Sequence, residues 1–372
     1  MPQRTRVAVL YGGRSGEHEV SLQSAASVIR HLDRERFEIV PVSIDKAGRW
    51  QLHGLHRLDE AGGDALPIPP DAPEVRLAGG TEGRCALIPL AGGQATVEID
   101  VVIPVMHGPL YEDGAIQGLL DLAEAAYVGS GVLASALAMD KDVAKRLAGQ
   151  AGIPIAPYRA FTRKSFERGS DALLAEIREA LSLPVFVKPC NMGSSVGIHK
   201  VKDWSALRAA LDDAFQYDVK VLVEQGIDAR EIEVAVLDGD PPFVSLASEL
   251  NPRPHHEFYS YAAKYLDPDG ATVDLPARLD PAAMERVRGL AAQVFEALGC
   301  SGLARVDFFL DRASGAFYFN EINTLPGFTA ISMYPKMMEA SGVSYPELLT
   351  RLVDLAVERH RTRHGLRRDF NG

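Results

Sequence analysis

Residues 303–329 read LARVDFFLDRASGAFYFNEINTLPGFT, two β-rich apolar runs joined by the turn residues 311–315. Side chains alternate across a strand, so Arg305 and Asp307 share one face of the first run, and Glu321 and Asn323 one face of the second. Antiparallel pairing can then gather Asp307, Glu321 and Asn323 as hard oxygen donors. Mg²⁺ takes such a set while it keeps water and substrate phosphate. Arg305 would stand beside them as a fixed cation. The competing reading is a plain hairpin with an exposed salt bridge, but the tight Thr-Leu-Pro-Gly at 324–327 and the number of oxygen side chains favour the metal site.

Upstream, residues 185–197 read VFVKPCNMGSSVG, a strand ending near Lys188 and followed by a glycine- and serine-rich turn. Glycines admit an anion close to the backbone, hydroxyl and N–H groups surround it, and Lys188 adds charge. No GK[ST] occurs, so this is not a Walker loop. Gly193-Ser-Ser195-Val-Gly197 also fits a nucleophile elbow, which makes Ser195 a rival hydrolase nucleophile. An ordinary hairpin loop is the third reading. Gly129-Ser-Gly131-Val-Leu-Ala134 has the spacing of a dinucleotide fingerprint but no acidic partner about 20 residues on, and is read as a turn leading into Met139-Asp140-Lys141. Near the start, YGGRSGEHEVS at 11–21 is a strand-to-helix turn whose N–H groups suit a carboxylate, or where Ser15 and Glu17 simply cap.

The whole chain frames these motifs. Its 372 residues allow two or three domains and a cleft between them. At 47% apolar and 24% charged residues, disordered, collagenous and coiled-coil classes are excluded. A net charge of −11 without a long basic run suits neither nucleic acid nor an anionic membrane. Cys85, Cys190 and Cys300 are far apart, which gives no disulfide framework or zinc knuckle and points to a reduced, cytoplasmic setting. The N-terminus lacks a signal-peptide pattern, and the charge-free stretch 125–139 is too short to span a bilayer.

Apolar runs at 7–10, 37–44 and 100–106, a helix burying Val20, Ala25, Val28, Ile29 and Leu32, and a helix over 115–126 predict an α/β layer on a largely parallel sheet. Proline and glycine break this pattern over 52–96, read as a surface insertion with a β piece near 85–89. After 131 the chain changes to α+β. Helices are expected at 140–150, 171–181 and 204–214, with strands at 184–188 and 219–224. Strands at 231–237 and 243–249, a helix at 281–298 and a closing helix follow.

Together, GGRSGEHEVSL, VMHGPLYEDGAIQG, GSGVLASALAMDK, VFVKPCNMGSSVG, VLVEQGIDAREIEVAVL, SYAAKY, LARVDFFL and FNEINTLPGFT resemble the ATP-grasp superfamily, and closely the D-alanine–D-alanine ligase family, over nearly all the chain outside 52–96. The resemblance implies a three-domain ATP-grasp architecture of the α/β (α+β) class. Its units would be 1–129 with the first-substrate side, 130–224 with the phosphate lid, and 225–372 with the metal ligands and a loop at 250–274. Lys141, Lys188, Ser195, Glu224, Ile227, Glu231, Phe258 and Lys264 would hold ATP. Asp307, Glu321 and Asn323 would hold two Mg²⁺ ions, with Mn²⁺ as a substitute. Glu17 and His107 would meet the first D-alanine and Ser332 the second, while Arg305 and the Gly327 amide would stabilise a tetrahedral oxygen. Ser194 and Tyr265 would link loop closure to Glu17, and the tyrosine implies dipeptide rather than ester synthesis.

The implied reaction is carboxylate attack on the γ-phosphate of ATP, then attack of a second D-alanine's amine on the acyl phosphate. This would supply peptidoglycan precursors, from a cytoplasmic homodimer without nucleic-acid or membrane partners. A ligase of another amino-acid pair, a serine hydrolase and a nucleotide-binding module are the alternatives.

Overall fold

A computed structural model of the protein describes residues 4–55, 63–80, 84–92, 95–253 and 270–367. The first unit runs β1 (Thr5–Gly12), α1 (His18–His31), β2 (Phe37–Ile44), β3 (Trp50–Leu52), β4 (Val75–Gly79), β5 (Cys85–Pro89), β6 (Val97–Ile99), β7 (Val101–Pro104), α2 (Ala115–Leu122) and β8 (Ala126–Tyr127). Its main sheet has the order β3-β2-β1-β7-β8, parallel except at β2–β3. β1 is apolar from Val7 to Tyr11 because both faces are covered there. Val7, Val9 and Tyr11 join the core on the α1 side, while Ala8 and Leu10 meet Val42, Val75, Cys85 and Leu87 on the other. Residues 52–96 are therefore more than the surface insertion the sequence suggests. β4, β5 and β6 form an antiparallel sheet whose alternate residues close the second face of the main sheet.

The second sheet belongs to α3 (Val132–Met139), α4 (Lys141–Gln150), β9 (Tyr158–Thr162), α5 (Arg163–Ala180), β10 (Val185–Pro189), β11 (His199–Val201), α6 (Leu207–Tyr217) and β12 (Lys220–Gln225). Its order is β11-β10-β12-β9, antiparallel at every step. Ile177, Leu211 and Phe215 from α5 and α6 cover Val185, Val187, Val221 and Val223. α5 breaks at Gly169: the expected helix over 171–181 is its second part, preceded by a short turn of helix that the reciprocal capping box of Thr162 and Ser165 starts at Arg163.

The third sheet collects β13 (Ala229–Leu237), β14 (Phe243–Val244), β15 (Ser248–Pro252), β16 (Ala271–Asp274), then, after α7 (Pro281–Ala297), β17 (Leu303–Asp311) and β18 (Phe317–Asn323). Its order is β16-β15-β13-β17-β18, with β14 also on β13. The strand expected over 243–249 is split. Ser245 Oγ accepts a hydrogen bond from Ala235 N at 3.0 Å, a side chain standing in for a ladder carbonyl. α8 (Met333–Ala340) and α9 (Tyr345–His364) end the described chain.

Two helices pack outside the units that their sequence order suggests. α4 lays Ala144 and Ala148 on Phe308 and Phe319 of the third sheet. α9 sends Leu348, Leu352 and Ala356 into one core with Val101 and Ala126 of the first sheet. Arg359 fixes this junction: it donates to Gly129 O, to Tyr127 O at 2.8 Å and to Ser301 Oγ at 2.8 Å, with its guanidinium 4.5 Å from the Tyr127 ring centre. Arg359→Met strands two buried carbonyls, so it should lower unfolding free energy by about 1–3 kcal/mol. The urea midpoint should fall with the slope unchanged.

Candidate active site

β1 ends at Gly12, whose φ of +90° and a Cβ position only 2.3 Å from Ile44 O leave room for glycine alone. The turn delivers Glu17 to the cap position of α1. Ser194 Oγ donates to the Glu17 carboxylate. His107, in the loop after β7, is buried and forms a relay. Phe328 N donates to Ser24 Oγ at 3.2 Å, Ser24 Oγ lies 3.3 Å from His107 Nε2, and His107 Nδ1 lies 3.1 Å from Leu325 O. One tautomer satisfies the whole chain, with Nδ1 protonated and Nε2 accepting. Burial depresses the imidazole pKa, in keeping with that neutral form. His107 thus ties α1 to the loop carrying Gly327.

Ser194 and Ser195 take left-handed φ of 54° and 59°. After them the chain returns as β11, antiparallel to β10. A nucleophile elbow requires strand, turn and helix. This hairpin removes the structural basis for a Ser195 hydrolase. His199 gives its Nε2 to Asp213 at 2.7 Å.

Asp140 caps α4 through Asp142 N and Val143 N, both at 3.1 Å, and so aims Lys141 and Lys145, one turn apart, into the cleft. Glu224 on β12 is 1% exposed, with Lys145 Nζ 2.5 Å from Oε1 and Lys188 Nζ 2.6 Å from Oε2. Burial alone would raise the Glu224 pKa, yet the two ammonium groups hold it below the usual carboxylate value. Lys145 also donates to Phe319 O at 3.0 Å, and desolvation lowers its own pKa. Lys141 donates to Met192 O at 2.8 Å and pairs with Glu321 at 3.0 Å.

In the hairpin, Arg305 is in register with Asn323 and Asp307 with Glu321, as alternation predicted. Glu233 of β13 extends the row, opposite Asp307. Arg305 grips Asp307 with two bonds of 2.7 Å and lies 3.4 Å from Glu233. Its desolvation is outweighed by these carboxylates, and its pKa lies well above the ordinary value.

Two adjoining cavities open on this cluster. The smaller, about 290 Å³, is lined by Glu17, His107, Ser194, Asn323, Gly327 and Ser332. The larger, about 740 Å³, is lined by Lys188, Ser195, Glu224, Ile227, Glu231 and Asp307. Lys141, Arg305 and Glu321 face both. Phe258, Lys264 and Tyr265 lie outside the described residues. Sequence reading missed Lys145, Glu233 and Glu112. The first two were visible as a residue one turn from Lys141 and as a second acid on the face of Glu231.

This geometry, a nucleotide-sized cavity between two sheets meeting a small polar cavity at shared cations, defines an ATP-grasp ligase. Residues 6–130 match the D-ala D-ala ligase N-terminus family and residues 147–354 the D-ala D-ala ligase C-terminus family. The chain is 72% identical over 371 residues to D-alanine–D-alanine ligase A of Bradyrhizobium diazoefficiens, covering 100% of each. It is 45% identical to D-alanine–D-alanine ligase A of Escherichia coli K12, covering 98% of this chain and 99% of that one. Among solved structures, a D-alanine-D-alanine ligase from Coxiella burnetii superposes with a TM-score of 0.81 at 35% identity, covering 97% of this chain and 96% of that one. A D-Ala:D-Ser ligase from Enterococcus faecalis gives 0.82 at 36%, covering 95% and 100%. The chain belongs to the D-alanine–D-alanine ligase family.

Removing Lys145 leaves the buried Glu224 charge with Lys188 alone. Lys145→Met should cost about 3 kcal/mol, at the low end for a broken buried pair, read as a lower melting temperature.

Proposed function

We propose that this chain joins two D-alanines in an ATP-dependent reaction through an acyl phosphate. The observation that carries this reading is the sharing of Lys141, Arg305 and Glu321 between a nucleotide-sized cavity and an amino-acid-sized one. A carboxylate in the small cavity there meets the outer phosphate of a nucleotide in the large one.

Attack of one anion on another needs charge neutralised at the transferring group. Lys141 and Lys188 line the larger cavity, which supports their taking the phosphates. To reach them, they must exchange Glu321 and Glu224 for phosphate oxygens. Lys145 then stays as the counterion of Glu224, which faces the adenine side. Glu17, oriented by Ser194, takes the ammonium of the first D-alanine. Arg305 and the Gly327 amide face the small cavity and stabilise the oxyanion formed when the second amine attacks. Ser332, at the start of α8, offers its hydroxyl and the helix N-terminus to the carboxylate of the second D-alanine. The acyl phosphate must be kept from water, a role for Ser195 and its glycine turn over the phosphates.

Asp307, Glu321 and Asn323 fit Mg²⁺ by chemistry and placement. Among the described residues no three His, Cys, Asp or Glu side chains assemble a complete cage. Two cross-strand carboxylates and an amide are the partial set that Mg²⁺ completes with phosphate oxygens. When bound, the ions neutralise phosphate charge.

A homodimer is supported by exposed Leu119, Leu122 and Leu133 on α2 and α3, and sedimentation would test it. Among the described residues no helix is long and apolar enough to cross a membrane, which supports the cytoplasmic setting proposed here.

ADP release that needs Mg²⁺ and D-alanine, with D-alanyl-D-alanine mass as product, is the expected result. Release without D-alanine, or an ester from D-lactate at neutral pH, would contradict it. Glu17→Gln should raise the KM for the first D-alanine about tenfold or more, with the KM for ATP held.

A further inference from the structure

The turn between β10 and β11 rests both of its arms on the end of α6. On the incoming arm, Cys190 N donates to Lys220 O at 2.9 Å, and Cys190 O accepts from Lys141 N at 3.0 Å. Asn191 follows. Its N donates to Asp218 Oδ2 at 2.7 Å and its Nδ2 to the same oxygen at 3.1 Å. The other oxygen, Asp218 Oδ1, accepts from Lys220 N at 3.1 Å. On the outgoing arm Gly197 has a φ of +70°, and a Cβ there would lie 2.7 Å from the Tyr217 ring and 2.9 Å from Pro189. His199 then pairs with Asp213. Asp213 and Tyr217 stand one turn apart on α6, and Asp218 is the residue that ends it.

The same corner holds the helix that carries the lysines. Lys220 Nζ lies 3.0 Å from Asp140 Oδ1 and 2.5 Å from Asp142 Oδ2, and Asp140 caps α4. Residues 218–220 thus put the incoming arm and the start of α4 in one frame. Between the two arms the chain reaches the cleft: Met192 O accepts from Lys141 Nζ, Ser194 Oγ donates to Glu17, and Ser195 lines the larger cavity.

We propose that Asp218 is a positioning residue for phosphoryl transfer, fixing the base of the turn that covers the nucleotide phosphates by holding Asn191. The β10–β12 ladder pairs Pro189 with Val221 and closes on the bond between Cys190 and Lys220, so Asn191 is the first residue of the turn that a side chain holds. A carboxylate that takes two N–H groups from one residue fixes the direction in which the chain leaves, and such charge-assisted bonds are the stronger kind. A turn ordered in advance loses less freedom when the nucleotide arrives. It also keeps its hydroxyl groups over the phosphates while the acyl phosphate exists, when water must be excluded. Asp218 acts through Asn191 and touches neither substrate. This inference rests on the ligase reading of the two cavities and adds the residue that seats their cover.

The test uses the full chain with Mg²⁺, ATP and D-alanine, and counts ADP and dipeptide in the same reaction. Wild-type protein should form equal amounts. Asp218→Ala should raise the KM for ATP about fivefold or more. It should also form about two or more ADP per dipeptide, because water reaches the acyl phosphate beneath an unseated turn. A role confined to stability would lower the melting temperature and leave ADP and dipeptide equal. If Asp218→Ala fails to fold, the nearly isosteric Asp218→Asn serves, since it gives up the charge and one acceptor and should show the same excess of ADP to a smaller degree. Equal ADP and dipeptide in the folded variant would overturn the inference, whatever happens to stability or kcat. With a wild type that makes dipeptide, that result sinks this assignment alone. A wild type that makes none takes down the ligase reading, and the inference with it.

Discussion

Three carboxylates stand in one row across β13, β17 and β18 because Glu233 is in register with Asp307 and Asp307 with Glu321. Side chains repeat every second residue along a strand, so a slip of one position in any of the three would turn its carboxylate to the opposite face. Like charges directly opposite one another destabilise a sheet. Here Arg305 takes Asp307 and reaches Glu233, and Lys141 takes Glu321, so the row persists only with its cations in place. The site is thus already a lattice of alternating charge, and under the proposed reaction substrate phosphates would replace carboxylates as partners of the lysines.

That exchange has an asymmetry built into α4. Lys141 is bonded at the mouth, to Met192 O and Glu321, whereas Lys145 one turn deeper is wholly buried against Glu224 and Phe319 O. A charge at the depth of Glu224 tolerates losing one partner only if another remains. Lys145 supplies this constancy, which under the proposed reaction would leave Lys141 and Lys188 to follow the phosphates. The small cavity adds a neutral element to these charges: the His107 relay through Ser24, Leu325 and Phe328 sets the position of the loop bearing Gly327.

Much of this was legible before any coordinates. β10 and β12 contain short apolar runs rich in valine, β17 and β18 alternate over Arg305–Asp307 and Glu321–Asn323 before a bulge at Asp307/Phe308 shifts their register, and α1 has a buried face at helical spacing, so these elements fell close to their expected bounds. The acidic hairpin could be read from period two alone. Residues 52–96 were misjudged because proline and glycine mask short strands whose buried residues, Val75, Cys85 and Leu87, are few and spaced by turns. The strand split at Ser245 was invisible since it depends on a side-chain oxygen replacing a main-chain carbonyl as the acceptor for Ala235 N of β13.

By itself, the sequence determined the local elements, the alternation that puts Arg305 with Asp307 and Glu321 with Asn323, and the family strings that carry the chemistry. Those depend on backbone geometry and on residue type, both properties of short segments. Only the tertiary structure decided that α4 serves the third sheet, that α9 returns to the first, and that Lys145 meets Glu224 from 79 positions away in the chain. It alone set Glu112 against Glu17. Contacts between distant segments follow from how layers pack, and a carboxyl's charge follows from what surrounds it, neither of which is written in neighbouring residues.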